Sequence, residues 1–272
     1  MPESSTTGIT SALGRSIRLN RLFASDGRTV TVALDQAVPR GVAAELADIA
    51  AIYDRCLAGA PEAVTITKGV AGAILGQRSR QIPWILKASM FSVDFHPTYD
   101  AVIGSVADAV RLGADAVAVG ISAGSSNQAA MFEMLNRFVD DASAVGMPVV
   151  CHAYPSGEMW GDLKGSTKSV LYAARAAAEL GADIVKPWYT GSPTEFAKVV
   201  AGTPALVVAA GGPPADSPIE VLEQAAAVVE AGGRGMTCGR NVWTAPDPGA
   251  MVAALKAVIH DGATPTSAAS LL

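Results

Sequence analysis

Cysteine is scarce in this chain. Cys56, Cys151 and Cys238 lie far apart and form no CxxC pair. An odd, scattered set of thiols excludes a disulfide framework and a thiolate zinc site, and fits reduced cysteines in a cytoplasmic protein. Aromatic residues are few, at 6%, and charge of one sign is nowhere concentrated. With a formal net charge of −5 and no basic block, the chain lacks the electrostatic footprint of a nucleic-acid binder. No stretch of roughly 18 apolar residues runs without a charged residue, Gly or Pro, so no membrane span is expected. Met1–Thr10 is rich in Ser and Thr and lacks the apolar segment of a signal peptide; it is expected to fray.

What the chain does have is Ala, Val, Ile and Leu. Hydrophobic residues make up 50% of 272, enough for a large core of helices packed on a buried sheet. Short apolar runs alternate with Ala-rich amphipathic segments. Strands are expected near 29–34, 62–67, 83–88, 115–121, 148–153, 183–187, 205–210 and 235–239. Helices are expected near 41–58, 69–76, 99–112, 128–145, 166–180, 193–201, 217–231 and 247–260. Eight strand–helix units in this length imply parallel pairing and a (β/α)8 TIM barrel over 28–262. Residues 1–27 would be an extension, with a short helix from 11–27 across the barrel bottom, and 263–272 a tail. A doubly wound open sheet is the rival architecture. Gly113, Gly146, Gly181 and Gly232 each follow a helical stretch, where a left-handed cap is expected. The phrases Leu-Gly-Ala-Asp-Ala-Val (112–117) and Leu-Gly-Ala-Asp-Ile-Val (180–185) read as two uses of one helix-to-strand connection.

In such barrels catalytic groups gather at the C-terminal ends of the strands. Those ends carry Asp35-Gln36, Lys68-Gly69, Lys87 with Ser89, Ser122, Tyr154, Lys186, Gly211-Gly212 and Gly239-Arg240-Asn241, and the loop after the third strand holds Asp94 and His96. Lys186 ends a β-branched run that Pro187 breaks. A buried ammonium is costly, so burial lowers its pKa, and the neutral amine is the nucleophile of a Schiff-base enzyme. Strand alternation puts Ile184 inward with Lys186, and His152 and Val150 inward with Tyr154. Asp35, Tyr154 and Lys186 would then share one cavity as carboxylate, phenol and amine, a set suited to carbon–carbon lysis. Gly211, Gly212, Gly239 and Arg240 sit on the last two loops, where barrels frequently hold phosphate with the help of a helix N-terminus. Plainer readings exist for each. Lys68 and Lys87 are rival amines, and Lys87 could instead lower the pKa of another. Tyr154 and His152 could be satisfied core groups, Asp35 a cap, and the paired glycines a turn.

Taken together, Glu179-Leu-Gly-Ala-Asp-Ile-Val-Lys186, Tyr189-Thr-Gly, Ala209-Ala-Gly-Gly212, Gly239-Arg-Asn-Val242, Gly146-Met-Pro-Val and Tyr154-Pro-Ser-Gly resemble the archaeal-type class I fructose-bisphosphate aldolase family, with its related aminodideoxyheptulosonate synthases and autoinducer-2 thiolase. The resemblance runs from about Gly14 to Gly262. It implies Lys186 as the Schiff-base lysine, Tyr154 as general acid/base, Asp35 as the group handling substrate hydroxyls and protons, and Gly212, Gly239 and Arg240 as phosphate-binding positions. It also implies no metal and no cofactor, a phosphorylated substrate, and a homo-oligomer built as a ring pentamer or decamer. Three stretches depart from the family pattern. Asp35-Gln36-Ala37 stands for Asp-His-Gly, Ser156 for the arginine of Tyr-Pro-Arg-Gly, and Val119-Gly120-Ile121-Ser122 lacks a strand-end histidine.

The expected activity is a class I aldolase acting on a phosphorylated ketose, by default fructose 1,6-bisphosphate or a related sugar phosphate of a specialised pathway. An acyl-transfer or transaldol-type synthase would use the same lysine with a different acceptor. A non-covalent sugar-phosphate isomerase or binding barrel would use the phosphate site alone. No Gly-x-Ser-x-Gly elbow supports a hydrolase.

Overall fold

β-branched runs buried on both faces become the strands of a parallel sheet. In a computed structural model, residues 6–77, 82–90 and 100–272 are described, with side chains from Ser11 onward; Asp94 and His96 lie outside them. The strands are β1 (Thr29–Ala33), β2 (Ala63–Ile66), β3 (Trp84–Lys87), β4 (Ala116–Ser122), β5 (Val149–Tyr154) and β6 (Ile184–Lys186). β7 comes in two pieces, Leu206–Val207 and Ala209–Ala210, and β8 is Gly235–Cys238. Neighbours pair in parallel from β1 round to β6. The first piece of β7 pairs with β6 and the second with β8. β8 then pairs with β1, which closes the barrel and rules out the open sheet.

The pleat sorts the side chains. Ala63, Ile85, Ala116, Ala118, Val150, Ile184 and Val208 point inward and pack with Leu22 in one interior cluster. Val30, Val32, Val64, Ile66 and their outward counterparts form the larger cluster beneath the helices. Val150 and Ile184 are therefore inward, as the alternation requires.

A helix, α1 (Thr6–Leu22), precedes the barrel, and among the described residues eight helices of more than one turn surround it: α2 (Ile49–Leu57), α3 (Lys68–Ile74), α4 (Val106–Leu112), α5 (Gln128–Val145), α6 (Thr167–Glu179), α7 (Pro193–Ala201), α8 (Pro218–Glu230) and α9 (Pro248–Ile259). Gly113, Gly146, Gly181 and Gly232 have φ of 75°, 62°, 97° and 86°, the left-handed backbone expected after a helix. Two helices are shorter than the pattern predicts. The 41–58 segment starts with Gly41 at φ 83°, passes through a 3-10 turn at Ala44–Leu46, and becomes α-helical only after Asp48 caps Ala51 N–H at 2.9 Å. Within 99–112, Ser105 caps Asp108 N–H at 3.0 Å and so delays α4. The residues before it, Ala101–Val102, pair antiparallel with Ser89–Met90.

α1 begins and ends five residues before the 11–27 expectation and is pinned to the N-terminal end of the barrel. Arg15 pairs with Asp183, Arg18 donates to the Gly146 carbonyl at 3.0 Å, and Arg21 meets Asp115 at 3.2 Å. Asp115 and Asp183 are the aspartates of the two repeated phrases. Each accepts a second bond from the start of the preceding strand: Trp84 N–H to Asp115 at 3.2 Å and Val149 N–H to Asp183 at 2.8 Å. Glu62 does the same for Val30 N–H at 2.7 Å. One acid before each of β2, β4 and β6 thus ties a strand start to its neighbour. Among the described residues no helix is long and apolar enough to cross a membrane.

Candidate active site

The C-terminal strand ends surround a cavity of about 660 Å³. Asp35, Lys87, His152, Tyr154, Lys186 and Arg240 all line it. β6 ends on Lys186, and its register puts His152 directly alongside. Lys186 is 6% exposed. Burial pushes its ammonium below the usual 10.5; the Asp35 carboxylate opposes that shift, and the Lys87 charge adds to it. His152 is pushed well below 6.5 by burial and by the two lysines, so its ring is neutral. It was read from sequence as a satisfied core histidine, yet it forms part of the cavity wall.

Tyr154 ends β5. Burial, with the Asp35 charge next in weight, raises its hydroxyl above 10 and keeps it a phenol. Trp188 stacks on its ring at 5.5 Å between centroids, which fixes the ring plane. Asp35 follows β1 and is buried. Gln36 donates to it at 3.1 Å, so the residue standing where the family pattern has histidine steadies the carboxylate. Ser156, standing where the pattern has arginine, is buried and donates to Ser122 at 2.7 Å.

The last two loops meet at one edge of the cavity. Gly211 N–H is already bonded to the Thr237 carbonyl at 2.9 Å, so this glycine has no donor to offer an anion. A Cβ there would fall 2.9 Å from Cys238 Sγ and 3.0 Å from Cys238 Cα. Gly212 turns the chain with φ 74°. Asn241 staples the loop, donating to the Gly211 and Pro213 carbonyls at 2.8 and 2.9 Å and accepting from Ala215 N–H at 2.9 Å. Arg240 donates to the Gly212 carbonyl at 3.1 Å. Burial, then the neighbouring Arg40, pulls its guanidinium below the usual range. The helix after Gly239 is a single turn, Arg240–Trp243, too short to add a helix dipole of any size.

Of the rival amines, Lys68 is half-exposed, pairs with Asp108 at 3.5 Å and is not part of the cavity wall. Lys87 is part of it. Beyond Lys87, Asp100 is buried, and burial pushes its carboxyl up to about 6 against the pull of the Lys87 charge. Ser89 and the Gly120 amide lie nearby, but Gly120 N–H is spent on Ser89 Oγ at 2.8 Å. Sequence reasoning passed over Asp100, and over Trp188 and Lys164 of the cavity wall. Trp188 could have been found by reading on past Lys186-Pro187. Cys151 and Cys238 are buried thiols, the latter pushed up to about 12. Among the described residues no group of three His, Cys, Asp or Glu is arranged to hold a metal.

A sequence model of the DeoC/LacD family aldolase matches residues 29–245, from β1 to the turn after β8. The 2-amino-3,7-dideoxy-D-threo-hept-6-ulosonate synthase of Halobacterium salinarum is 34% identical over 94% of this chain and 95% of its own. The 2-amino-4,5-dihydroxy-6-oxo-7-(phosphonooxy)heptanoate synthase of Streptomyces griseus is 29% identical over 92% of both chains. The solved structure of an archaeal fructose-1,6-bisphosphate aldolase, its catalytic Lys covalently bound to the carbinolamine intermediate of the substrate, is similar with TM-score 0.82 and 30% identity. It spans 90% of this chain and 99% of that one.

Proposed function

This chain belongs to the DeoC/LacD family of class I aldolases, and we propose that it makes or breaks a carbon–carbon bond in a phosphorylated ketose through an imine on Lys186. The observation that carries this reading is a buried amine whose charged form is disfavoured, in a cavity shared with Tyr154 and Asp35. The neutral amine adds to the substrate ketone, and loss of water from the carbinolamine leaves an iminium. As the bond between the α- and β-carbons breaks, its electron pair moves into the iminium to give an enamine, and the β-carbon becomes an aldehyde. The aldehyde-forming hydroxyl gives up its proton, and the enamine carbon later takes one before hydrolysis frees the lysine. Tyr154, held as a phenol, and Asp35 are the cavity groups suited to move these protons. Gly212, Gly239 and Arg240 hold the phosphate, with Gly211 packed behind them on Cys238.

The Streptomyces griseus relative is named for a product with a 6-oxo group beside a 7-phosphonooxy carbon. Fructose 1,6-bisphosphate also sets a ketone beside a phosphorylated carbon. That shared end is the donor half we assign to this site. Fructose 1,6-bisphosphate is the default whole substrate, with a sugar phosphate of a specialised pathway as the alternative. A transaldol-type synthase, with the same donor and another acceptor, is favoured by one observation: Ser156 is occupied by Ser122 where the family pattern supplies an arginine. By the same resemblance the protein assembles as a homo-oligomeric ring, a pentamer or decamer, which analytical ultracentrifugation would count.

Borohydride reduction with a panel of sugar phosphates, read by mass spectrometry, is expected to leave one adduct, on Lys186, and none in Lys186→Ala. Full turnover by Lys186→Ala would refute the reading. A turnover that requires coenzyme A would move the enzyme to acyl transfer. Phosphate binding without any reducible adduct would leave a non-covalent barrel.

A further inference from the structure

Across the barrel from the phosphate loops, the cavity wall holds an ammonium with no hydrogen-bond partner among the described residues. Lys87 ends β3, four strands round from β7. It lines the cavity and is 2% exposed, and among the described residues its Nζ makes no hydrogen bond. A lysine ammonium carries three donors, and burying them unmet is costly. Its counter-charge, Asp100, is also buried, and neither carboxylate oxygen has a hydrogen-bond partner among the described residues. The two charges balance through space while the donors of Lys87 stay unspent.

We propose that Lys87 is a further catalytic residue, its ammonium binding the oxygen on the far carbon of the cleaved bond, the oxygen that ends as the acceptor's aldehyde. This rests on the imine reading above. With the phosphate pinned at β7 and β8 and the ketone carbon on Lys186 of β6, the remainder of the substrate extends away from the phosphate loops, toward β3. During cleavage that oxygen loses its proton to Tyr154 or Asp35 as the carbon–carbon pair enters the iminium. Lys87 donates hydrogen bonds to the negative charge building there and gives up no proton of its own. In the synthetic direction the same contact polarises the incoming aldehyde. His152, neutral beside Lys186, does not duplicate that charge.

Lys87→Met keeps the length of the side chain and removes its charge. With dihydroxyacetone phosphate alone, borohydride is expected to trap Lys186 in this variant at the wild-type yield, because a three-carbon donor ends short of Lys87. Cleavage of the panel sugar phosphate that the wild type turns over should fall about 100-fold or more in kcat, with KM changed less. Lys87→Arg, which restores a cation, should recover part of that rate. A kcat for Lys87→Met within about threefold of wild type overturns the proposal, as does an arginine variant no faster than the methionine one. Donor trapping lost as severely as cleavage also overturns it, since Lys87 would then act on the imine or the fold; should Lys87→Met not fold, Lys87→Gln carries the same comparison. If the wild type itself leaves no adduct on Lys186, the imine reading has failed, a result that does not depend on the variants.

Discussion

An amine that attacks a ketone must be neutral beforehand and positively charged as the iminium afterwards. Lys186 meets the first demand through burial and the second through Asp35, whose charge opposes the downward shift. Tyr154 shares the same cavity with a different task, and the two are separable by experiment. Tyr154→Phe removes only the hydroxyl and keeps the ring stacked on Trp188. We expect it to retain the borohydride adduct on Lys186 and to lose about 10²–10⁴-fold in cleavage kcat; an unchanged kcat would leave Asp35 as the sole proton carrier. Asp35, Tyr154 and Lys186 were legible in the sequence because each lies at a strand end, where a period of two decides which side chains face inward. Arg40 and Asp100 were not. Arg40 follows a turn whose path no periodicity sets, and Asp100 enters through an antiparallel excursion between β3 and α4. The sequence placed Gly211 on a candidate phosphate loop, but its spent N–H depends on pairing with β8 that only the closed sheet reveals.

At the scale of elements, the two copies of Leu-Gly-Ala-Asp reveal more than a shared loop. Each aspartate joins a strand start to an arginine of α1, so the extension closes the barrel end opposite the site. Burial pushes the Asp183 carboxyl upward, against the pull of the Val149 amide and Arg15. Removing the arginine therefore leaves a buried carboxylate with one partner fewer. We expect Arg15→Ala with Arg21→Ala to lower unfolding stability by about 1–3 kcal/mol, measured by urea denaturation, with little change in the Lys186 adduct. Each arginine is more than half exposed, which keeps the expected loss below that of a fully buried pair. A double variant as stable as the wild type would mean that Arg18 and the apolar contacts around Leu22 suffice to seat the helix. The strands were legible from their apolar runs and the helix ends from glycines and serines. The broken start of α2 was missed because an Ala-rich stretch reads as helical whether or not Gly41 and Asp48 interrupt it.

At the scale of the whole molecule, the site leaves a mark on stability as a function of pH. Burial pushes Asp100 up to about 6, so between 3.8 and about 6 the folded protein holds a proton that the unfolded chain has lost. Its contribution to stability therefore declines as pH rises through that window. Lys186 is shifted down from 10.5, so from its lowered pKa up to 10.5 the folded protein lacks a proton that the unfolded chain holds. Its contribution improves as pH rises through that window. Each group accounts for at most one proton, which limits either slope to about 1.4 kcal/mol per pH unit. Denaturant curves for wild type, Asp100→Asn and Lys186→Met between about pH 4 and about pH 10 separate the two. The stability of wild type relative to Asp100→Asn should fall up to about pH 6 and then level. Relative to Lys186→Met it should be lowest in acid, where the buried ammonium is charged, and climb toward alkaline pH. A difference from Lys186→Met that ignores pH would mean the amine keeps an ordinary pKa inside the barrel. It would then be an ammonium at neutral pH, with no lone pair to offer a ketone, and the imine would have no nucleophile.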